Sequence, residues 1–317
     1  MDTIYIAKFL MKVLETFPTF SIETVGEKNE VFNHNCFLDS SSSDKRAIML
    51  KSSESKYKGE LSYPWDNYFG IDISLFLKGK IVLDLGCFSG GRSVAWFERY
   101  KLQEIAGIDV KQVYIDAANQ FANKHKIKAD FKLGFGESLP FEDEVFEAIL
   151  TFDVFEHVRD LQKTLKECFR VLKPGGRLFS VFPCYFNPIE HHLSLVTKVP
   201  FIHYFFSGKT LIKAYNEIIE ERPYEETYWY KRQSSTLEPW ERCNGINGTT
   251  LFQFKKMLKQ MDWKIIHQSK KPIGSVGRNI SKRPLIRIIS KLFLPLNYFP
   301  FLQEVFLHRI TYILEKR

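Results

Sequence analysis

The chain is poor in cysteine and the few it has do not pair: Cys36, Cys87, Cys168, Cys184 and Cys243 are odd in number and form no Cys-x-x-Cys. That excludes a disulfide framework and a zinc ribbon and points to a reducing, cytoplasmic setting. No uninterrupted apolar run approaches the roughly 18 residues that span a bilayer. The opening MDTIYIAKFLMKVLETF carries Asp2, Lys8 and Lys12 and lacks a small-residue cleavage site, so it reads poorly as a signal peptide. There is no GxxxxGK[ST], which excludes a P-loop. There is no long polybasic block either: 45 Lys plus Arg against 37 Asp plus Glu leave a formal charge of +8, which permits an anionic partner without requiring one. Aromatic residues, by contrast, are abundant. With 29 Phe and 14 Tyr the aromatic fraction reaches 15%, enough for large packed cores and an apolar binding face. The 44% apolar and 26% charged residues in 317 are those of a globular chain of one large or two modest domains.

Residues 1–60 begin amphipathic and then turn polar, with Ser40 to Ser43 between Asp39 and Asp44 read as a loop; this is a variable N-terminal extension. Over 61–186 strands and helices alternate. IVLDL from Ile81 is a short apolar strand that runs into the glycine turn GCFSGG and then the helix RSVAWFERY. EIAGIDV is a second strand and QVYIDAANQFANKHK a helix, and DFKLG, EAILTF and RLFSVF, from Asp130, Glu147 and Arg177, are three more strands. The helix between the last two puts Leu161, Leu165, Cys168, Phe169 and Leu172 on one face and is stopped by Pro174-Gly175-Gly176. Such alternation calls for an α/β, doubly wound, mostly parallel sheet with its ligand at the carboxyl ends of the strands. Residues 187–250 lose the alternation and read as an inserted helical, aromatic cap. Residues 251–317 supply a helix, TLFQFKKMLKQM, and two closing strands, DWKIIHQSK and HRITYILEK, which bring the sheet to seven; a basic apolar insertion lies between those strands.

The glycine turn lets backbone N–H groups and a helix N-terminus approach a ligand. A dinucleotide turn would need three glycines where this chain has Gly86, Phe88 and Gly91, and the Phe obstructs a pyrophosphate. In order and spacing, VLDLGCFSGG, GIDV, LGFGESLPF, FEAILTFDVFEHV and RVLKPGGRL, spread over 81–183, resemble the motifs of class I S-adenosylmethionine-dependent methyltransferases of the type 11 kind. The resemblance implies a Rossmann-like sheet closed by an antiparallel pair, S-adenosyl-L-methionine as cofactor, and methyl transfer as activity. By it, Asp84 and the turn residues Gly86, Cys87, Phe88 and Gly90 hold the methionine end and Asp109 the ribose hydroxyls, with Val110, Gly136, Glu137 and Phe152 completing the cofactor set. The chemistry agrees: a carboxylate suits the ammonium, a helix N-terminus the carboxylate, and a second acid the diol. The plainer alternatives are a turn cap for Asp84 and a helix N-cap for Asp109. Two departures stand out. Many members have Gly at the position of Phe88, and Phe135 stands where members often have an Asp that meets the adenine amino group. Glu137 or the backbone of Gly136 would replace that contact, while Phe135 packs either on the adenine or into the core.

After the fourth strand come Asp153, Glu156 and His157. A helical turn beginning there would put all three on one face, able to hold a divalent cation. The arrangement resembles metal-assisted O-methyltransferases of RNA ribose and of ubiquinone precursors. It equally resembles metal-free small-molecule enzymes in which the His is a general base or simply packs. His157 and Asp153 are taken as the catalytic candidates, no metal ligand is assigned, and His191 of the cap is the further candidate. The cap, with His191, His192, His203, Tyr228, Trp229, Tyr230 and Trp240, is expected to close over the acceptor, since in-line methyl transfer needs alignment and exclusion of water. The expected acceptor is a hydroxyl on a small molecule, a glycan or a lipid-linked group; the alternative is a non-catalytic methyltransferase-fold binding or regulatory protein, for which Phe135 is the support. A nucleic-acid acceptor is not expected, because there is no dense basic stripe and the place of an NPPY-like tetrapeptide reads TFDVFEH. The segment 281–309, with Lys282, Arg283, Arg287 and Lys291 among apolar residues, suits peripheral contact with an anionic membrane or burial against its own domain.

Overall fold

Short, β-branched apolar segments separated by amphipathic helices can bury both faces of a sheet only if the helices cross over it, and this chain does so. In the computed structural model the described residues are 3–15, 42–188, 191–193, 196–222, 246–273 and 302–317, with the single positions 275, 288, 292, 295, 296 and 299. In chain order the elements are α1 (Thr3–Val13), α2 (Ser42–Ser62), a 3-10 turn (Trp65–Tyr68), α3 (Ser74–Leu77), β1 (Ile81–Leu85), α4 (Gly91–Tyr100), β2 (Glu104–Asp109) and α5 (Gln112–His125). They continue with β3 (Ala129–Leu133), β4 (Phe146–Phe152), α6 (Leu161–Val171), β5 (Leu172–Phe182), α7 (Ile202–Phe205), α8 (Gly208–Glu220), α9 (Leu251–Lys259), β6 (Trp263–Pro272) and β7 (Leu307–Lys316).

The strands form one seven-stranded sheet of order β3-β2-β1-β4-β5-β7-β6. β1 to β5 are parallel, and β7 inserts antiparallel between β5 and β6. The order reverses beside β1, so the crevice at the carboxyl ends of β1, β2 and β4 is the natural ligand site. One face is packed by α6 and α9, with Ile149, Leu178, Leu165, Cys168 and Phe254 in a single cluster. The other carries Val82, Leu150 and Phe179 under Trp65, Phe69, Leu77 and Trp96.

Three sequence readings change. Pro174-Gly175-Gly176 does not end the helix; α6 stops at Val171 and the three residues lie within β5, where its register against β4 shifts. Residues 1–60 are not one appended extension. α1 packs its Ala7 and Met11 into the cap cluster of Leu211, Tyr215 and Ile218, with Lys8 3.2 Å from Glu217 and Lys12 2.7 Å from Glu221. α2 belongs to the core instead, lying against α4 and α5, and Ser42 and Ser43 are its first turn rather than a loop. Its contact is made by small groups: Ser53 Oγ donates to the carbonyls of Met49 (2.9 Å) and Ser89 (2.6 Å).

The cap does contain helices, α7 and α8. Its aromatic residues Tyr228, Trp229, Tyr230 and Trp240 lie outside the described residues, as do Lys282, Arg283, Arg287 and Lys291 of the basic segment. Among the described residues no helix is long and apolar enough to cross a membrane.

Candidate functional site

β1 ends in Asp84 and Leu85, and the chain then makes a turn that only positive φ allows: Gly86 at +80°, Phe88 at +50° and Gly90 at +75°, before α4 starts at Gly91. The turn is pinned to β2. The N–H groups of Gly86 and Cys87 donate to the carbonyl of Ile108 (3.0 and 2.9 Å), and that of Phe88 donates to Asp109 Oδ2 (2.9 Å). Asp109 Oδ1 accepts from the N–H of Val110 (2.7 Å). Each carboxylate oxygen has two lone pairs, so Asp109 can hold this turn and still accept from a diol. The left-handed backbone explains why glycine is common at the position of Phe88; a side chain there costs about 1 kcal/mol. Here its ring packs on Tyr114, with centroids 4.4 Å apart and planes inclined at 56°, and lies against the cluster that holds Met49 of α2. Asp84 is 3% exposed and accepts from Ser93 Oγ at 2.5 Å; burial pushes its carboxyl up to about 7. Burial also raises Asp109, against the backbone N–H groups of Phe88, Val110 and Lys111 and the Lys111 charge, which lower it.

These elements wall a cleft of about 440 Å³. Of the residues expected to bind the cofactor or act in catalysis, Asp84, Gly86, Cys87, Phe88, Asp109, Val110, Gly136, Glu137, Phe152, Asp153 and His157 line it, whereas Gly90 and the further candidates Glu156 and His191 do not. Gly90 serves helix packing instead, since a Cβ there would lie 2.7 Å from the Cα of Ala118 in α5. The Cys87 thiol is buried, which pushes its pKa far up and leaves it no nucleophilic role. Phe135 is 54% exposed at the cleft edge and is not a core residue. Glu137 Oε1 accepts from the N–H groups of Arg159 (2.6 Å) and Asp160 (3.1 Å), which fastens its loop to the start of α6. Lys56, Arg92, Lys111, Tyr114 and Arg159 also line the cleft. The sequence reading missed them. Lys56 in particular sits in the stretch read as a variable extension, and no local signal marked it.

The turn after β4 differs from the expected helix start. Asp153 has φ +56°, donates its N–H to Val181 (2.8 Å), and gives its carboxylate to Arg309 of β7, with Oδ1 2.8 Å from Nε. It therefore does not share a face with Glu156 and His157. His192 takes its place: one donor atom from each of Glu156, His157 and His192 lies within 4.8 Å of the others, and the two imidazoles are 5.0 Å apart. His192 is held at φ +55°, while its neighbour His191, the expected cap residue, is buried and accepts the Leu193 N–H at its Nδ1 (3.1 Å). Asn247 clamps the turn, its N–H donating to Glu156 O (2.7 Å) and its Nδ2 to the carbonyls of Phe155 (2.6 Å) and Val158 (2.8 Å). Burial pushes His203, close behind, down to about 4, so it stays neutral.

S-adenosyl-L-methionine fits this donor set. A buried carboxylate at the end of β1 suits an ammonium, the N-terminus of α4, whose Gly91 lines the cleft, a carboxylate, and the acceptor oxygens of Asp109 a diol. A methyltransferase-domain family model matches residues 83–180. A ubiquinone biosynthesis O-methyltransferase of Coxiella burnetii is 33% identical over 109 residues, which are 34% of this chain and 46% of that protein. A norajmaline N-methyltransferase of Rauvolfia serpentina is 34% identical over 31% of this chain and 34% of its own length. The chain thus spans half or less of the curated relatives it matches. Among solved structures, an S-adenosylmethionine-dependent methyltransferase from Mesorhizobium loti aligns with 76% of this chain and 92% of its own at 12% identity and a TM-score of 0.48. Residues 83–180 thus match the methyltransferase-domain family, on a sheet of this order with acids at the ends of β1 and β2.

Proposed function

We propose that the chain transfers a methyl group from S-adenosyl-L-methionine to a hydroxyl of a small-molecule, glycan or lipid-linked acceptor. The observation that carries this is the pair Asp84 and Asp109 on adjacent strands, either side of the glycine turn, with His157 lining the same cleft. The cofactor, when bound, supplies an activated methyl on a sulfonium. Asp84 and the α4 N-terminus would hold its amino-acid end and Asp109 its ribose, and the exposed Phe135 and the backbone of Gly136 would serve the adenine. His157, 37% exposed in its side chain, takes the proton from the acceptor hydroxyl or orients it. Asp153 is a positioning residue, its carboxylate committed to Arg309. Calorimetric titration with S-adenosylmethionine and its demethylated product, followed by an acceptor screen with labelled cofactor, tests the reading; a chain that only retains the fold gives no binding heat.

Two results follow. Asp109→Ala should weaken cofactor binding by about 1–3 kcal/mol, because the hydroxyls lose their acceptor and the turn its anchor. Unchanged affinity in a folded variant removes the ribose assignment. His157→Ala should lower kcat about 10²- to 10⁴-fold with cofactor affinity intact.

A second reading, metal-assisted O-methyl transfer, is favoured by the juxtaposition of Glu156, His157 and His192. Those three residues would hold a divalent cation, which would lower the pKa of a bound hydroxyl. Turnover measured in chelator, with re-addition of Mg²⁺, Mn²⁺ or Zn²⁺, separates the readings. Full turnover in chelator leaves the metal-free one.

A further inference from the structure

Directly across the β6–β7 ladder from Arg309 stands Lys271. Cross-strand partners leave a sheet on the same face, here the one covered by the turn through Trp65, Phe69 and Gly70. Arg309 is answered by Asp153. Lys271 is not answered: it is half-buried, and it has no hydrogen-bonding or ionic partner among the described residues. Its Nζ lies over Gly70, 3.4 Å from where a Cβ would stand. The neighbouring titratable group on its own strand, His267, offers no negative charge; burial, and after it the charge of Lys271, lowers its pKa. Burial alone lowers the pKa of Lys271 itself.

The surroundings add cations rather than remove them. Arg92, a wall residue of the cleft, stacks on Phe152 at 4.3 Å, and its carboxylate, Glu60, lies 3.6 Å away and is itself raised in pKa by burial. Tyr68, whose ring meets Phe152 at 5.3 Å, feels the charges of Arg309, Asp153 and Arg92 together. Among the described residues, Arg309 pairs with Asp153 and Arg92 with Glu60, and Lys271 has no ion pair. A half-buried ammonium without a counter-charge costs free energy that a bound anion returns.

We propose that this edge binds an anionic group of the methyl acceptor, a carboxylate or phosphate, with Lys271 as its principal ligand and Arg309 as its neighbour. The inference rests on the methyltransferase reading, and it narrows the acceptor class to hydroxyl compounds that carry an oxyanion. Asp153 holds Arg309 in the ladder, so the anion meets Lys271 rather than displacing an existing pair.

The test uses inorganic phosphate and acetate as probes on the full chain, with and without saturating S-adenosylhomocysteine, followed by lysine-resolved NMR and calorimetry. Wild type should bind one of the anions saturably with a shift of the Lys271 signal, phosphate the tighter if the group is a phosphoryl and acetate if it is a carboxylate. Lys271→Met, which keeps the stem, should lose at least tenfold in that affinity, and Lys271→Arg should keep it within a few-fold. Lys270→Met should change nothing, because Lys270 leaves the other face toward Gln303. An equal affinity in Lys271→Met, or no saturable binding by wild type, overturns the proposal. Failure of S-adenosylhomocysteine to bind would instead sink the methyltransferase reading, and the anion titration without it still reads Lys271.

Discussion

Gly91→Ala should strip α2 from the core and weaken cofactor binding in the same step. A Cβ at Gly91 would lie 1.9 Å from the carbonyl oxygen of Ser53 and 2.7 and 2.9 Å from its C and Cα. These are backbone atoms of a neighbouring helix, which cannot swing aside as a side-chain end does, so α2 must withdraw as a unit. With it go the Ser53 bonds, the Met49 support of Phe88 and Tyr114, and the Lys56 wall of the cleft. Overpacking of this kind costs about 2–4 kcal/mol. Cofactor affinity should fall at least tenfold. Urea denaturation and titration with S-adenosylhomocysteine measure the two effects. Ser53→Ala is the control, since it deletes the hydroxyl without a clash and should cost about 1 kcal/mol. If Gly91→Ala proves no worse than Ser53→Ala, α2 does not dock on α4 in this way.

That helix also marks where sequence reading stopped short. The strands were legible because each is a short run of Val, Ile, Leu and Phe between glycine and polar turns, and the pairing order follows from the crossovers; only the ends moved, as when β5 begins at Leu172 instead of Arg177. α2 gave no such signal because it docks through Ser53 and its own backbone, and its buried positions include Ser52, Ser53 and Glu60 as well as Met49. A close helix contact through small residues leaves no apolar stripe to see. In α8 the stripe is there, with Leu211, Ile212, Tyr215, Ile218 and Ile219 all buried, but α1 as its partner lies some 200 residues away in the chain and nothing local names it. The same limit applies at the site. Asp84, Gly86 and Asp109 could be expected at one cleft, which all three line, because strand ends are local features. The commitment of Asp153 to Arg309, 156 residues on, and the choice of His192 over His191 depend on long-range contacts and on one left-handed residue.

The last expected result concerns Asp84, where function and stability should move in opposite directions. In the unfolded chain its carboxyl titrates near its ordinary value of 3.8, and in the folded chain burial holds it at about 7. Between those two values the folded state keeps a proton that the unfolded state has released. The stability it contributes is therefore greatest in acid and is lost as pH rises through about 7. Asp84→Asn never charges and keeps a hydrogen-bonding partner for Ser93, so the cofactor-free chain should gain about 2–4 kcal/mol above pH 7 and almost nothing near pH 4. Cofactor binding should respond the other way, because an ammonium needs the carboxylate. Wild-type affinity should fall as pH is lowered from 8 to 6, whereas the variant should bind about 10²-fold more weakly at pH 8 with a flat pH profile, the loss of one charged hydrogen bond. Urea denaturation and calorimetric titration at pH 6 and 8.5 give both quantities on the same samples. A turn-capping Asp84 would give the reverse pattern, with the variant less stable at every pH and cofactor affinity untouched, and that outcome would take Asp84 out of the site.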